Sequence, residues 1–341
     1  MKKVISLMLV LLILVFSGCG KEEPASTKTE SKPKAPVAAE TPKNEFLTLM
    51  ESDKRPIAVM IDNDGPSSRP QIGLESAYMI YEVIVEGGAS RIMALFKDAS
   101  AIEKVGPIRS SRHYFLDFAM EHDAIYCHAG WSPRAASDIS SLGINNVNGI
   151  VGNDGAYYYR DSTYDNTWHN LYTNLSKLYD YAVDKKGYKS TSDETHTAYN
   201  DKDTDLKDEV QIASEVVLPY STLYKVTYKY NEEDKTYTRY IGQSEHMSQT
   251  GKALTAKNII ICPMRNYPLQ DGENKDRQDV VTVGTGEGYY VTNGKADKIT
   301  WSKASRGAKT VYKLANGQPL NLNPGNTYVQ IVPVTSEITI K

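Results

Sequence analysis

The sequence predicts an α/β N-terminal domain followed by a smaller, mainly antiparallel β domain, α+β overall. Three observations carry this. Strand-length apolar runs alternate with helix-period segments between residues 55 and 143. A polar stretch at about 185–212 then gives way to two-residue alternation. Asn293-Gly294 and Asn316-Gly317, strong hairpin signals, punctuate that second part. The expected organisation is a signal peptide over 1–18, a lipidated cysteine and tether over 19–44, the α/β domain over 45–200 and the β-rich domain over 213–341.

The leader is read first. Lys2 and Lys3 precede an almost unbroken apolar run, Val4 to Phe16, which ends in Ser17-Gly18-Cys19. A charged start, a short apolar stretch and small residues before a cut site make a secretory signal. The run is shorter than the roughly 20 residues a bilayer span takes. Small residues before a cysteine resemble the bacterial lipobox, with Phe16 where Leu is usual, so Cys19 is the expected lipidation site. More than one acyl chain, each CH₂ contributing about 0.8 kcal/mol, anchors a protein stably. The expected location is therefore the extracytoplasmic face of the cell membrane. Residues 20–44, rich in Pro, Ser, Thr, Lys, Glu and Ala, lack the apolar surface to fold and read as a flexible tether.

Within the α/β part, RPIAVMID (55–62), AYMIYEVIVEGG (77–88), SRIMALFKD (90–98) and AIYCHAG (124–130) read as strands. KVGPIR (104–109) is short and breaks at Gly106-Pro107. From Ser111 a helix is expected, with Phe115, Phe118, Ala119 and His122 on one face. Ser132-Pro133 reads as an N-cap and first helical residue, and Gly143 as the stop. In the second part KVTYKY, TYTRYIG, NIIICPM, DVVTV, GYYVTN, KITWSKA and TYVQIVP read as strands. The glycines of GTGEG (284–288), with no helix following, read as turns rather than a nucleotide loop.

Charge excludes one class of partner. Removing Lys2 and Lys3 from 39 Lys+Arg leaves 37 against 42 Asp+Glu, a net charge of −5 and no nucleic-acid profile. Besides Cys19 there are Cys127 and Cys262, both in apolar strand-like stretches and expected to be buried free thiols rather than a disulfide. Tyr outnumbers Phe by 24 to 5, which suits strands, wet surfaces and sugar stacking alike.

Three constellations could carry chemistry. Asp62 and Asn63 end a strand, where α/β sheets place ligands, with Arg69 shortly beyond; Asp62 could hold a divalent cation such as Mg²⁺, or the segment could be plain turn chemistry. Glu82, Glu86 and Arg91 flank Gly87-Gly88, as an acid–base pair or as an ordinary ion pair. Gly106-Pro107-Ile108-Arg109-Ser110-Ser111-Arg112 is the strongest signal. It leads into a helix start, where backbone N–H groups favour anions, and adds two forked cations suited to phosphate or carboxylate. His128, Trp131, Ser132, Arg160 and His169 are further loop or strand-end residues, His128 being a candidate base and the others ligand contacts. Ser132 has no nucleophile-elbow setting.

At RPIAVMIDN, RPQIGLESA, YEVIVEGGASRIMALF, KVGPIRSSRHY, HAGWSP, YRD and HNLY, and again at VTYKY, VGTGEGYYVTNGK, ITWSK and NPGNTYVQIV, the sequence resembles the YerB-like lipoproteins of Gram-positive bacteria, a two-domain family of unknown function. The resemblance covers nearly all of 46–335 and implies a lipid-anchored envelope protein. Tyr78 and Ala89-Ser90 depart from the family's wording, which has Asp after the Ala and Thr before the Arg.

The leading functional expectation is a lipoprotein that binds a cell-wall glycan or another phosphate-bearing anion. Arg69, Arg91, Arg109, Ser110, Arg112, Arg160 and His169 would grip the charge, and Trp131, Tyr157, Tyr158 and Trp168 would stack on sugars. An envelope enzyme acting on a phosphate-linked glycan is the alternative, with Asp62 positioning Mg²⁺ and Glu82, Glu86 or His128 as catalytic groups. A protein-interaction scaffold is the third reading. The enzyme reading expects Asp62, Glu86, Arg109 and Arg112 to converge in one pocket with room for a metal; the binder reading expects a shallow aromatic groove and no convergent carboxylates; the scaffold reading expects ion-paired arginines and an exposed apolar patch on residues 225–335.

Overall fold

The computed structural model describes residues 44–192, 197–207, 209–273 and 275–341. The leader, Cys19 and all of the tether except Asn44 lie outside them. Asn44 caps a short helix, α1 (Glu45–Met50), its side chain accepting from the Phe46 N–H. Strands β1 (Ile57–Ile61), β2 (Met79–Ile84) and β3 (Ser90–Phe96) follow, buried along their whole length. Helix α2 (His113–Glu121), β4 (Ile125–His128), helix α3 (Pro133–Ser141) and β5 (Asn146–Asn148) complete the expected alternation.

Local chemistry explains these boundaries. Ser132 Oγ accepts from the Ala135 N–H, Pro133 opens α3, and Gly143 beyond it takes a left-handed φ of 64°. Helix α2 starts at His113 rather than Ser111, because Ser111 is bridged to Trp131 in an extended segment. Its expected face is the buried one: Phe115, Phe118 and Ala119 pack in the core, and His122 meets the hydroxyls of Tyr78 and Tyr81.

A hairpin, β6 (Tyr158–Arg160) with β7 (Leu171–Thr173), leads to helix α4 (Leu175–Asp184). Next come β8 (Gln211–Ile212), β9 (Glu215–Pro219), β10 (Lys225–Asn231), β11 (Thr236–Ile241), β12 (Ser244–Glu245) and β13 (Thr255–Ala256). The last group is β14 (Asn258–Met264), β15 (Asn266–Pro268), β16 (Gln278–Val280), β17 (Gly284–Thr292), β18 (Lys295–Lys303), β19 (Val311–Leu314), β20 (Thr327–Pro333) and β21 (Thr339–Ile340).

Two sheets dominate. The larger runs β19-β18-β17-β14-β20-β2-β3-β1-β4-β5, with β8 on β18; the smaller runs β12-β11-β10-β9-β21, with β13 on β11. The larger sheet passes continuously from the first part of the sequence into the second through β2 and β20. One of its faces packs on the smaller sheet and α4, through Val59, Ile80 and Ile92 against Val216, Val226 and Leu178; the other is covered by α2, through Met60, Tyr81 and Met93 against Phe115 and Phe118. Cover on both faces is why β1 to β3 are buried at every position and apolar at all but Glu82, Ser90 and Arg91, rather than at alternate positions.

Two expectations are corrected here. The second part is mainly antiparallel, but β14 pairs with β20, and β20 with β2, in parallel. GTGEG is not a turn but the first half of β17. A Cβ on Gly286 would fall 2.6 Å from the Trp301 indole nitrogen, and one on Gly288 only 2.1 Å from the Ile261 carbonyl oxygen of β14. The glycines admit neighbours rather than bend the chain. Asn293-Gly294, both with positive φ, forms the β17–β18 hairpin turn as expected. Cys127 and Cys262 are free and buried, and burial pushes the Cys127 thiol up to about 12.

Candidate functional site

The arginine-bearing segment is a wedge between two parallel strands. β1 and β4 pair only over Ile57–Val59 and Ile125–Cys127. Beyond that they part, and residues 107–111 fill the gap. The Asp62 and Arg109 N–H groups bond to the carbonyls of Pro107 and Met60 on one side. On the other, the Ala129 N–H bonds to the Arg109 carbonyl and the Ser111 N–H to that of Gly130. The divergence of parallel strands at their carboxyl ends is where open α/β sheets hold ligands. Gly106 makes the entry possible: its φ is 145°, and a Cβ there would fall 2.8 Å from the Tyr172 ring.

Asp62 is fully buried in this site. Its Oδ2 lies 2.8 Å from both Arg109 Nε and His169 Nδ1, and its Oδ1 accepts from the Asp64 N–H. Burial raises the Asp62 carboxyl, but the His169 hydrogen bond and the charges of Arg109 and Arg91 outweigh it and hold the group below the usual range. Reciprocally, the bond to Asp62 holds the His169 imidazole above its ordinary value. Arg109 lies 3.7 Å over the ring of Trp168, which is itself half exposed.

Glu86, past the end of β2, receives the Arg112 guanidinium, with Nε at 2.6 Å. Arg277, from the β15–β16 hairpin, approaches the same oxygen at 3.8 Å while pairing with Asp271 and Glu273. Burial pushes the Glu86 carboxyl up, and the charges of Arg112 and Arg91 more than reverse this. Next in the same hairpin region, Asp279 accepts from His113 Nε2 at 2.7 Å and Arg134 Nη1 at 2.8 Å, fixing the hairpin to the starts of α2 and α3.

Arg91 differs from its neighbours. It is 3% exposed, and its guanidinium donates to the Ser110 carbonyl through Nη1 at 2.9 Å. Its Nε is buried without a partner. Among the described residues no carboxylate stands within ion-pair distance of it; Asp62 and Glu86 act on it only through space. Burial, reinforced by the Arg112 charge, pushes this arginine down to about 10, so it remains a cation at neutral pH. A buried charge lacking a contact partner costs several kcal/mol.

Other predicted residues lie elsewhere. Glu82 is fully buried in a pair with Arg239 (3.0 Å) and accepts from Ser90, Tyr224 and Asn63. It does not share a face with Glu86. His128 has both ring nitrogens engaged, by the Gly130 carbonyl and Asn146 Oδ1, and burial pushes it down to about 4. Arg69 donates to Asn63 Oδ1 and lines a separate cleft of about 910 Å³ with Tyr224 and Glu245. Arg160 donates to Asn170, and Ser110 Oγ to the Ala129 carbonyl. Tyr78 is buried against His122. The sequence reading missed Arg277, His113 and Asp279; the SSRHY motif contains His113, but nothing local announces its partner.

Asp62 does not suit a metal. Two cationic donors already converge on one of its oxygens, the reverse of the oxygen-rich shell that Mg²⁺ takes. Among the described residues no group of three or more His, Cys, Asp or Glu is arranged to hold a metal ion. No described helix is long and apolar enough to cross a membrane.

A mixed sheet protein with an arginine-rich wedge at the parting of two parallel strands is the class these features define. The family model described as "Protein of unknown function (DUF3048) N-terminal domain" matches residues 47–189, and its C-terminal counterpart matches 216–329. The chain belongs to this family. It is 30% identical over 290 residues to "Putative lipoprotein YerB" of Bacillus subtilis (strain 168), across 83% of this chain and 82% of that protein. The crystal structure of the Bacillus subtilis YerB protein matches with a TM-score of 0.72 at 28% identity, covering 84% of this chain and 94% of that one. The resemblance read from the motifs therefore holds.

Proposed function

We propose that this protein is a lipid-anchored lipoprotein of the extracytoplasmic membrane face that binds an anionic, phosphate-bearing envelope glycan through the wedge arginines. Anchoring at Cys19 rests on the leader pattern and agrees with the lipoprotein name of the relative. Binding rests on one observation above all, the buried Arg91 guanidinium that has a carbonyl but no carboxylate against it. Arg109 and Arg112 stand close enough to perturb it, and Trp168 presents an exposed ring over Arg109. Forked guanidinium donors and an aromatic face are the chemistry a sugar phosphate needs.

Asp62 and Glu86 do lie among the arginines, as an enzyme would require. Each is already held by one of them, and His128 has no open nitrogen, so binding accounts for the geometry better than acid–base chemistry. Arg91 also lacks the ion pair a pure scaffold would have.

Calorimetric titration with a poly(glycerol phosphate) oligomer tests the binding. Saturable heat that weakens with added salt is expected. No heat at low salt, or equal heat from the phosphate-free polyol, contradicts the proposal. For the anchor, Cys19→Ala is expected to move the protein out of the membrane fraction. Retention of the variant there would remove the lipid from the account.

A further inference from the structure

A second feature adjoins the wedge. A groove of about 510 Å³ runs between α3 and the segment after β5. Trp131, 39% exposed, lines it at one side, and Ile139, Ile144 and Val151 give it apolar walls. Asn148 and Asn146 supply the polar groups, with Lys186 bonded to Asp154 beside them.

Asn148 is the unusual member. It is 2% exposed, and its Oδ1 accepts from the N–H groups of Gly130 (2.9 Å) and Ile150 (3.3 Å). Those two bonds fix the carboxamide orientation, so the amide nitrogen cannot be exchanged for the oxygen. Nδ2 is left buried without an acceptor. An unmet buried donor costs about 1–3 kcal/mol, which a carbonyl oxygen in the groove would recover once a small shift of the wall uncovers Nδ2.

From the exposed indole, the apolar walls and this unmet donor, we infer that the groove is a subsite for an N-acetylated hexose. The ring stacks on Trp131, as sugar faces do on aromatic side chains. The acetamido methyl fits among Ile139, Ile144 and Val151, and its carbonyl accepts from Asn148. The subsite is joined to the anion site by the backbone. The Ser132 N–H bonds to the Ser111 carbonyl, and the Ser111 N–H to that of Gly130, so Trp131 is clamped between residues tied to the arginine segment. The inference deepens the proposed glycan binding and rests on it only for the phosphate end of the ligand.

Fluorescence tests it directly. The protein has three tryptophans; Trp301 is buried, so Trp168→Phe leaves Trp131 as the exposed reporter. Titration with the β-linked trimer of N-acetylglucosamine is expected to change emission and protect Trp131 from acrylamide quenching. Calorimetry on the unmodified protein is expected to show the same saturation. The glucose trimer, lacking acetamido groups, is expected to bind at least about tenfold more weakly, the factor that 1.4 kcal/mol represents. Trp131→Ala is expected to abolish trimer binding while still binding poly(glycerol phosphate). Absence of any response to the trimer, with the phosphate polymer still bound, overturns the subsite and leaves the anion reading standing. Trimer binding without polymer binding does the reverse. Equal affinity for the two trimers, or full trimer affinity in Trp131→Ala, also contradicts the inference.

Discussion

Two buried arginines divide this molecule into a region that is finished and one that is not. Arg239, in the smaller sheet, is fully buried and satisfied on every side. Its Nη2 pairs with Glu82 across the two sheets, Nη1 donates to Tyr228, and Nε donates to His246 Nδ1. His246, well below its ordinary value because of burial and the Arg239 charge, accepts that bond as a neutral ring. Arg91, in β3, is nearly as buried and has one carbonyl. Residue type and burial are alike, so neither decides function. The difference lies in the partners: a complete shell fastens two sheets together, whereas an incomplete one leaves attraction for a ligand.

That contrast can be broken experimentally. The largest effect is expected from Glu82→Gln, which strands Arg239. Loss of one member of a buried pair costs about 3–5 kcal/mol, so the urea midpoint should fall sharply. A change under about 1 kcal/mol would mean that the pair does not fasten the sheets.

Next comes pH. His128 is lowered from an ordinary value near 6.5 to about 4, because burial disfavours its charged form. The unfolded chain therefore takes up its proton first as pH falls. The associated stability is present above about pH 6.5 and is lost on acidification through the folded value, about 3 kcal/mol in all. Urea unfolding at neutral pH and near pH 4 should show the loss, and His128→Gln should remove this part of it. An unaltered pH dependence in the variant would show that His128 is protonated at no such cost.

A smaller effect sharpens the comparison from the other side. Arg91→Met removes an uncompensated charge rather than half of a pair. Its stability should lie within about 1 kcal/mol of the original or above it. Smallest of all, dithiothreitol should leave the melting temperature unchanged, because Cys127 and Cys262 are free thiols. A fall on reduction would reveal a disulfide.

The legible parts of this structure are those that short stretches of chain specify. The Ser132-Pro133 start of α3, the buried face of α2 and the Asn293-Gly294 hairpin each follow from a few adjacent residues. Gly106-Pro107 marks the arginine segment locally, but its wedge position is not local: the Arg109 and Ser111 N–H groups bond to the Met60 and Gly130 carbonyls instead of opening a helix. Parallel pairing of β20 with β2 was not legible, because two-residue alternation reads the same in either direction. Nor was the strand character of GTGEG, since glycine serves turns and close approaches equally. The contributions of Arg277 and Asp279 come from a hairpin far along the chain, and only the fold brings them to Glu86 and His113. Glu82 and Glu86 looked like partners from their spacing; the end of β2 separates them, one into the core and one toward the wedge.

The most direct test of the central claim combines affinity and stability in one variant. Pyrophosphate is titrated calorimetrically into the original protein and Arg91→Met, with urea unfolding of both measured in the same buffer. The account predicts at least about tenfold weaker binding in a variant whose stability is not reduced. Equal pyrophosphate affinity in the two proteins, or a variant destabilised as severely as Glu82→Gln, would contradict it.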